Sequence, residues 1–147
     1  MTPAGLHEAL LIGSWNLRSW DRQIVATGQA GPARGPARRG SLVYLPGGRM
    51  ITLIIQRDRP LPAAMPPTTE EKAALYDGML AYSGRWRLDG DVVVHRIETA
   101  WNGVWSGSEQ RRHAVLEGSM LTLRTPAFIE PLTGQEAVHT LVFQRDG

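Results

Sequence analysis

A chain of 147 residues, 42% hydrophobic and 20% charged, has the size and composition of one globular domain with a real core, which excludes a disordered or multidomain chain. Sixteen basic against fourteen acidic residues leave a net charge of +2, so the sequence pI near 9.5 reflects a small excess and not the dense basic field of a nucleic-acid binder. With no cysteine there is no disulfide framework, thiolate metal site or cysteine nucleophile.

The start, MTPAGLHEALLIGSW, lacks a basic n-region and a long apolar h-region, and no later stretch approaches the ~20 apolar residues of a membrane span. The expectation is a cytoplasmic protein with no membrane partner. Within that start, PAGLHEALLIG predicts one short helix, with Leu6, Leu10 and Leu11 on a common side and Gly13 ending it. From Gly13 the signals are almost all strand. GSWNLRSW alternates Trp15 and Leu17 against Ser14, Asn16 and Arg18, and GQAGPARGPARRG (residues 28–40) has nothing to bury and predicts a long surface loop. SLVYL and RMITLIIQR flank a Pro-Gly-Gly turn and predict a hairpin. After DRPLPAAMPP breaks the pattern, TTEEKAALYDGML predicts a helix near 69–79, capped by Thr68 or Thr69. AYSGRWRL and DVVVHRIETA are joined at an Asp-Gly pair, SEQRRHAVLEGSMLTLRTP turns at 117–119, and AVHTLVFQR is the last strand.

The count is eight strands, or nine if IVAT (24–27) pairs separately. A single all-β domain spanning 1–147, an antiparallel eight-stranded barrel with a short N-terminal helix and one helix near 69–79, follows most economically because closure removes unpaired edges. A two-sheet sandwich is the alternative. Eight strands leave an interior that is either filled by side chains or holds one small ligand.

The sequence resembles the bacterial and fungal lipocalin-like domain proteins, distant relatives of the lipocalins in the calycin group. The resemblance rests on G-S-W at Gly13–Trp15, G-S-L-V-Y with the following P-G-G-R-M, A-Y-S-G-R-W, H-R-I-E at 95–98, G-S-E-Q-R-R from Gly107, E-G-S-M-L-T-L, and the closing F-Q-R. It implies that Trp15 and Arg145 close the barrel floor, the arginine packing over the tryptophan. The missing secretion signal and cysteines depart from the lipocalin pattern, so extracellular transport is not implied.

Strand parity selects candidate site residues. On DVVVHRIETA the inward set is Val93, His95, Ile97 and Thr99, because Arg96 and Glu98 need water. On AYSGRWRL it includes Tyr82, Trp86 and Leu88. Centring the hairpin on Asp89–Gly90 pairs Leu88 with Asp91 and sets Gly84 opposite His95, with Tyr82 as its diagonal neighbour. Residues 108–116 carry polar groups on both faces, and the resemblance favours Gln110 and Arg112 inward. On the last strand His139 shares parity with Leu141, Phe143 and Arg145. The expected interior therefore holds Tyr82, His95, Gln110, Arg112 and His139 among Tyr44, Met50, Trp86, Ile97 and Phe143. Trp101 and Trp105 either rim the mouth or pack on the barrel exterior, and the 69–79 helix either caps an opening or packs on the wall.

A mostly apolar cavity with a few converging polar groups is how small-molecule sites are built. No metal-ligand spacing, phosphate loop, G-x-S-x-G or inward carboxylate pair is present, and no cofactor is expected. The candidate catalytic set is His95 as acid or base, with Arg112 and Tyr82 stabilising an enolate oxygen. That chemistry suits cofactor-free isomerisation, dehydration or cyclisation of a polyketide-like or aromatic, carbonyl- or carboxylate-bearing molecule. The alternatives are a non-catalytic carrier of a small hydrophobic molecule, or a haem barrel using His139. ARGPARRG is a solvated loop, not a nucleic-acid site. A homodimer contact through an exposed Trp20 or Trp105 stays open.

Overall fold

Short runs of alternating apolar and polar residues, punctuated by glycine-containing turns, are satisfied here by one antiparallel sheet of ten strands. In the computed structural model, which describes residues 5–33, 38–56, 59–130 and 133–146, eight of these strands form a closed barrel. They are β1 (Gly13–Ile24), β3 (Arg38–Tyr44), β4 (Arg49–Gln56), β5 (Met79–Asp89), β6 (Val92–Ala100), β7 (Glu109–Glu117), β8 (Met120–Arg124) and β10 (Glu136–Arg145). Each pairs with the next, and β10 returns to β1 along nearly its whole length, Trp15 opposite Arg145 and Ile24 opposite Ala137. The two extra strands, β2 (Ala30–Pro32) and β9 (Phe128–Ile129), lie beside β1 and β10.

The expected 28–40 loop is therefore shorter than its composition suggests. β1 pairs with β3 only over Gly13–Asn16, which leaves the edge at Asp21–Gln23 free, and the backbone of Ala30–Pro32 takes that edge without burying any large side chain. Arg38–Gly40 already belongs to β3, and residues 34–37 lie outside the described residues. Ile24 ends β1 and 25–27 form a turn, so no ninth strand arises there.

Two helices accompany the barrel. α1 (Glu8–Leu11) is a single turn that buries Leu11. α2 (Thr69–Asp77) starts on a capping box in which the Thr68 hydroxyl accepts from the Glu71 N–H and the Glu71 carboxylate accepts from the Thr68 N–H. None of its residues is buried. No helix among the described residues is long and apolar enough to cross a membrane.

Chain reversals sort the barrel into two ends. The turns at 45–48, 90–91 and 118–119 gather at one, where the Trp86 N–H reaches the Gly48 carbonyl and the Arg145 N–H the Ser119 carbonyl, each at 2.8 Å. Leu11, Trp15, Tyr44, Met50 and Trp86 fill this end. Here the expected floor pair meets: the Arg145 guanidinium carbon lies 4.2 Å from the Trp15 ring centroid, its Nη1 donates to the Ile12 carbonyl at 3.0 Å and its Nη2 to the Leu10 carbonyl. Trp15 Nε1 in turn donates to the Leu11 carbonyl at 2.9 Å, so the guanidinium and the indole together tie α1 across the base. Gly13 (φ +136°) makes this approach feasible, since a Cβ there would stand 2.9 Å from Arg145 Nη1.

Candidate functional site

Above that packed floor the barrel encloses a cavity of about 600 Å³ that extends to the other end, where the 101–108 and 125–130 segments lie. Of the residues expected inside, Tyr82, His95, Gln110, Arg112, His139 and Phe143 line it, with Leu42, Ile54, Leu80, Leu123 and Leu141 as apolar wall. Tyr44, Met50, Trp86 and Ile97 are buried as parity requires but are set back in the packed core, not on the cavity wall. α2 contributes no lining residue and lies beside the mouth, its Tyr76 ring 5.9 Å from that of Trp101.

His95 sits between two tyrosines. Its Nε2 is 2.6 Å from the Tyr44 hydroxyl and its Nδ1 is 2.7 Å from that of Tyr82. Burial, reinforced by the nearby Arg112 charge, holds its pKa down at about 3, so the ring is neutral and carries one proton. Hydrogen-bond accounting fixes which nitrogen has it. Tyr44 is set back from the cavity with His95 as its partner, so its O–H is satisfied only by donating to Nε2. Nδ1–H then donates to the Tyr82 oxygen, which leaves the Tyr82 O–H to be offered to the cavity. Burial pushes both phenols up, Tyr82 to about 12, so both keep their protons at neutral pH.

The neighbour relations behind this differ from the expected register. The two-residue turn is Gly90–Asp91, not Asp89–Gly90, so Trp86 and not Gly84 is opposite His95. Tyr82 is opposite Ala100 and reaches His95 through the interior instead of as a diagonal neighbour. A bulge in β6 at Glu98 shifts parity, leaving Thr99 exposed and turning Ala100 inward. Gly84 permits it, because a Cβ at that position would lie 1.9 Å from the Arg96 carbonyl oxygen.

Arg112 points inward from β7, as the alternating burial of Gln110, Arg112, Ala114 and Leu116 requires. Its guanidinium donates to the Arg111 carbonyl at 2.8 Å and to Gln110 Oε1 at 3.4 Å. No carboxylate pairs with it among the described residues, whereas Arg111 and Arg87, facing outward, pair with Asp89 and Glu109. Burial lowers its pKa, and the phenols of Tyr82 and Tyr44 act against that shift.

A second polar cluster on the wall was not legible in the sequence. Trp20 Nε1 donates to His139 Nδ1 at 2.9 Å, His139 Nε2 and Glu130 Oε2 are 2.6 Å apart, and Arg22 Nη1 donates to Glu130 Oε1 at 2.5 Å. An indole nitrogen only donates, so His139 Nδ1 is the acceptor and Nε2 carries the proton toward Glu130. Burial outweighs the opposing pull of Glu130 and keeps the His139 pKa below the usual imidazole range. Burial would raise the Glu130 carboxyl, but its bonds from His139 and Arg22 prevail and hold it low. Haem ligation by His139 would require breaking one of the two ring contacts. Trp20, expected outside, is brought in by a bulge of β1 at Arg18: Trp15 and Leu17 face inward before it, Trp20 and Arg22 after it.

At the mouth, Trp101 and Trp105 line the cavity instead of packing on the exterior, their ring centroids 5.2 Å apart, and Trp105 continues to Tyr82 at 6.1 Å. Trp101 Nε1 is buried and has no hydrogen-bond partner among the described residues. Among the described residues no group of three or more His, Asp or Glu side chains is arranged to hold a metal ion.

A closed eight-stranded barrel with an arginine-on-tryptophan floor and an interior cavity is a lipocalin-like barrel, of a size whose interior is either filled by side chains or holds one small ligand. The family model described as a lipocalin-like domain matches residues 12–146, and the chain belongs to that family. Among solved structures, a lipocalin-like protein from Bacteroides uniformis ATCC 8492 aligns with 15% sequence identity and a TM-score of 0.48, over 92% of this chain and 98% of its own. No curated protein matches the chain.

Proposed function

We propose that the barrel holds one small, largely apolar molecule in its interior, with a carbonyl or carboxylate oxygen of that molecule on Arg112. The observation that carries this reading is a guanidinium in the wall of a cavity of about 600 Å³ with no carboxylate to pair with among the described residues. A cation removed from water is costly unless a partner compensates it, and a ligand oxygen is the compensation the cavity has room for. The apolar wall supplies the remaining affinity through burial of the ligand's hydrocarbon.

Turnover is the second reading, favoured by one observation: the Tyr44–His95–Tyr82 chain ends in a hydroxyl on the cavity wall. A neutral His95 with both nitrogens engaged and a pKa near 3 is a weak base, so Tyr82 and Arg112, backed by His95, would stabilise an enolate oxygen during isomerisation, dehydration or cyclisation. Native mass spectrometry of the freshly purified protein tests the first reading. An added mass that vanishes on denaturation supports it and supplies the molecule to assay. His95→Ala then separates the two, since an enzyme loses rate far more than affinity and a carrier loses affinity alone. A preparation that carries nothing and takes up no apolar probe contradicts the binding reading.

A further inference from the structure

Hydrogen-bond accounting over the whole cavity wall narrows the occupant beyond its size and polarity. Among the described residues, most side-chain acceptors on the wall are already engaged. Glu130 receives His139 and Arg22, Gln110 Oε1 receives Arg112, the Thr125 hydroxyl receives the His139 N–H, and Glu109 at the rim receives Arg87. Donors remain over. The Tyr82 O–H is freed toward the cavity by the His95 Nδ1–H, and among the described residues Arg112 has a guanidinium with no anionic partner and the buried indole N–H of Trp101 has nothing to donate to. A buried N–H without a partner is uncommon in a folded protein and points to something absent that accepts from it. Beside that N–H the wall is aromatic, Trp101 on Trp105 and Trp105 on Tyr82, and Phe128 beside His139 adds a further ring to the lining.

We propose that the molecule held in this barrel is an aromatic anion carrying two oxygen acceptors, its charged oxygen on Arg112 and the Tyr82 hydroxyl, its second acceptor on the Trp101 indole N–H, and its ring plane among Trp101 and Trp105. This rests on the binding reading above and adds the charge state, the number of acceptors and the role of Trp101. A cationic or donor-rich molecule would meet the Arg112 charge and few open acceptors, and a neutral hydrocarbon would leave these donors unsatisfied. The matching ligands are ionised aromatic carboxylates and acidic phenols or 1,3-dicarbonyl enolates with a neighbouring carbonyl. The same surplus of donors selects the ionised form of an enolisable ligand, so binding lowers that ligand's own pKa.

Two fluorescent probes with one skeleton test it. 1-Anilinonaphthalene-8-sulfonate carries a sulfonate, and N-phenyl-1-naphthylamine lacks it. Both are titrated into the wild-type protein and the Arg112→Gln and Trp101→Phe variants. The expected result is at least tenfold tighter binding of the sulfonate by the wild type, collapse of that preference in Arg112→Gln with the amine unaffected, and a several-fold loss for the sulfonate in Trp101→Phe. The amine also reports that each variant retains its cavity. Equal or tighter binding of the amine by the wild type, or a preference that survives Arg112→Gln, overturns the anion assignment while leaving the binding reading standing. Unchanged sulfonate binding in Trp101→Phe removes Trp101 from it. Failure of both probes to bind the wild type overturns the assignment together with the binding reading on which it rests.

Discussion

Trp20 donates its indole N–H to Nδ1 of His139 across 2.9 Å, joining two residues 119 positions apart in the chain and fixing the imidazole as the neutral Nε2–H form that faces Glu130. Trp20→Phe removes the indole donor to Nδ1, which favours the neutral ring, so the His139 pKa rises. The expected cost is about 1–2 kcal/mol of stability. Nitrogen-detected NMR of the His139 ring reads the tautomer directly; a wild-type ring protonated on Nδ1 contradicts the assignment.

Acid weakens this fold through His95. Its pKa is about 3 in the barrel, against an ordinary value of 6.5 in the unfolded chain, so the unfolded state binds the proton first as pH falls. The stability contributed by neutral His95 is complete above about pH 6.5 and is lost toward pH 3, at up to about 1.4 kcal/mol per pH unit. His139, also lowered, adds to the slope with the same sign. Denaturant midpoints measured from pH 8 to pH 4 should fall steadily below 6.5, and His95→Gln, less stable at pH 7, should show a flatter profile.

Closure of the floor depends on the Arg145 guanidinium more than on its stem. Arg145→Met keeps the aliphatic packing on Trp15 and loses the cation–π contact and the bonds to the Leu10 and Ile12 carbonyls, at an expected cost of about 2–3 kcal/mol in urea unfolding. Loss of less than about 0.5 kcal/mol would show that α1 is held by Leu11 and the Trp15 bond alone.

Gly84 has the least tolerance for substitution. A methyl group there overlaps the Arg96 carbonyl oxygen, so Gly84→Ala has to open the β5–β6 pairing at the bulge and should cost more than about 3 kcal/mol. Gly103→Ala meets nothing within 4 Å and serves as the comparison, expected within about 0.5 kcal/mol of the wild type.

The closed barrel, its eight component strands, α2 and the meeting of Trp15 with Arg145 were legible because they follow from alternation, turn residues and a family pattern. Inward placement of His95 and His139 followed from the same parity, whereas that of Gln110 and Arg112 came from the family pattern, because their strand carries polar groups on both faces. What parity alone could not deliver was the effect of bulges. One extra residue at Arg18 turns Trp20 into the cavity and brings Arg22 to Glu130, and one at Glu98 exchanges Thr99 for Ala100; neither leaves a mark in an apolar-polar pattern. Glu130 was missed for a different reason. It follows a two-residue strand, β9, too short to show any period, and only its bonds to His139 and Arg22 reveal that it is inside. The depth of the packed floor was equally hidden, so Tyr44, Met50, Trp86 and Ile97 read as cavity wall although they lie behind it.

The five tryptophans report on interior binding, because each indole N–H gives its own resonance. Trp20, Trp101 and Trp105 line the cavity, whereas Trp15 and Trp86 are bonded to the Leu11 and Leu45 carbonyls at the closed end. A ¹H–¹⁵N titration with 1-anilinonaphthalene-8-sulfonate should move the Trp101, Trp105 and Trp20 indole signals, Trp101 the furthest and downfield as it gains an acceptor, and leave Trp15 and Trp86 in place. Indole signals that all stay fixed while backbone amides of the exposed apolar residues Ile51 and Leu53 shift would place the probe outside the barrel and contradict an interior binding site.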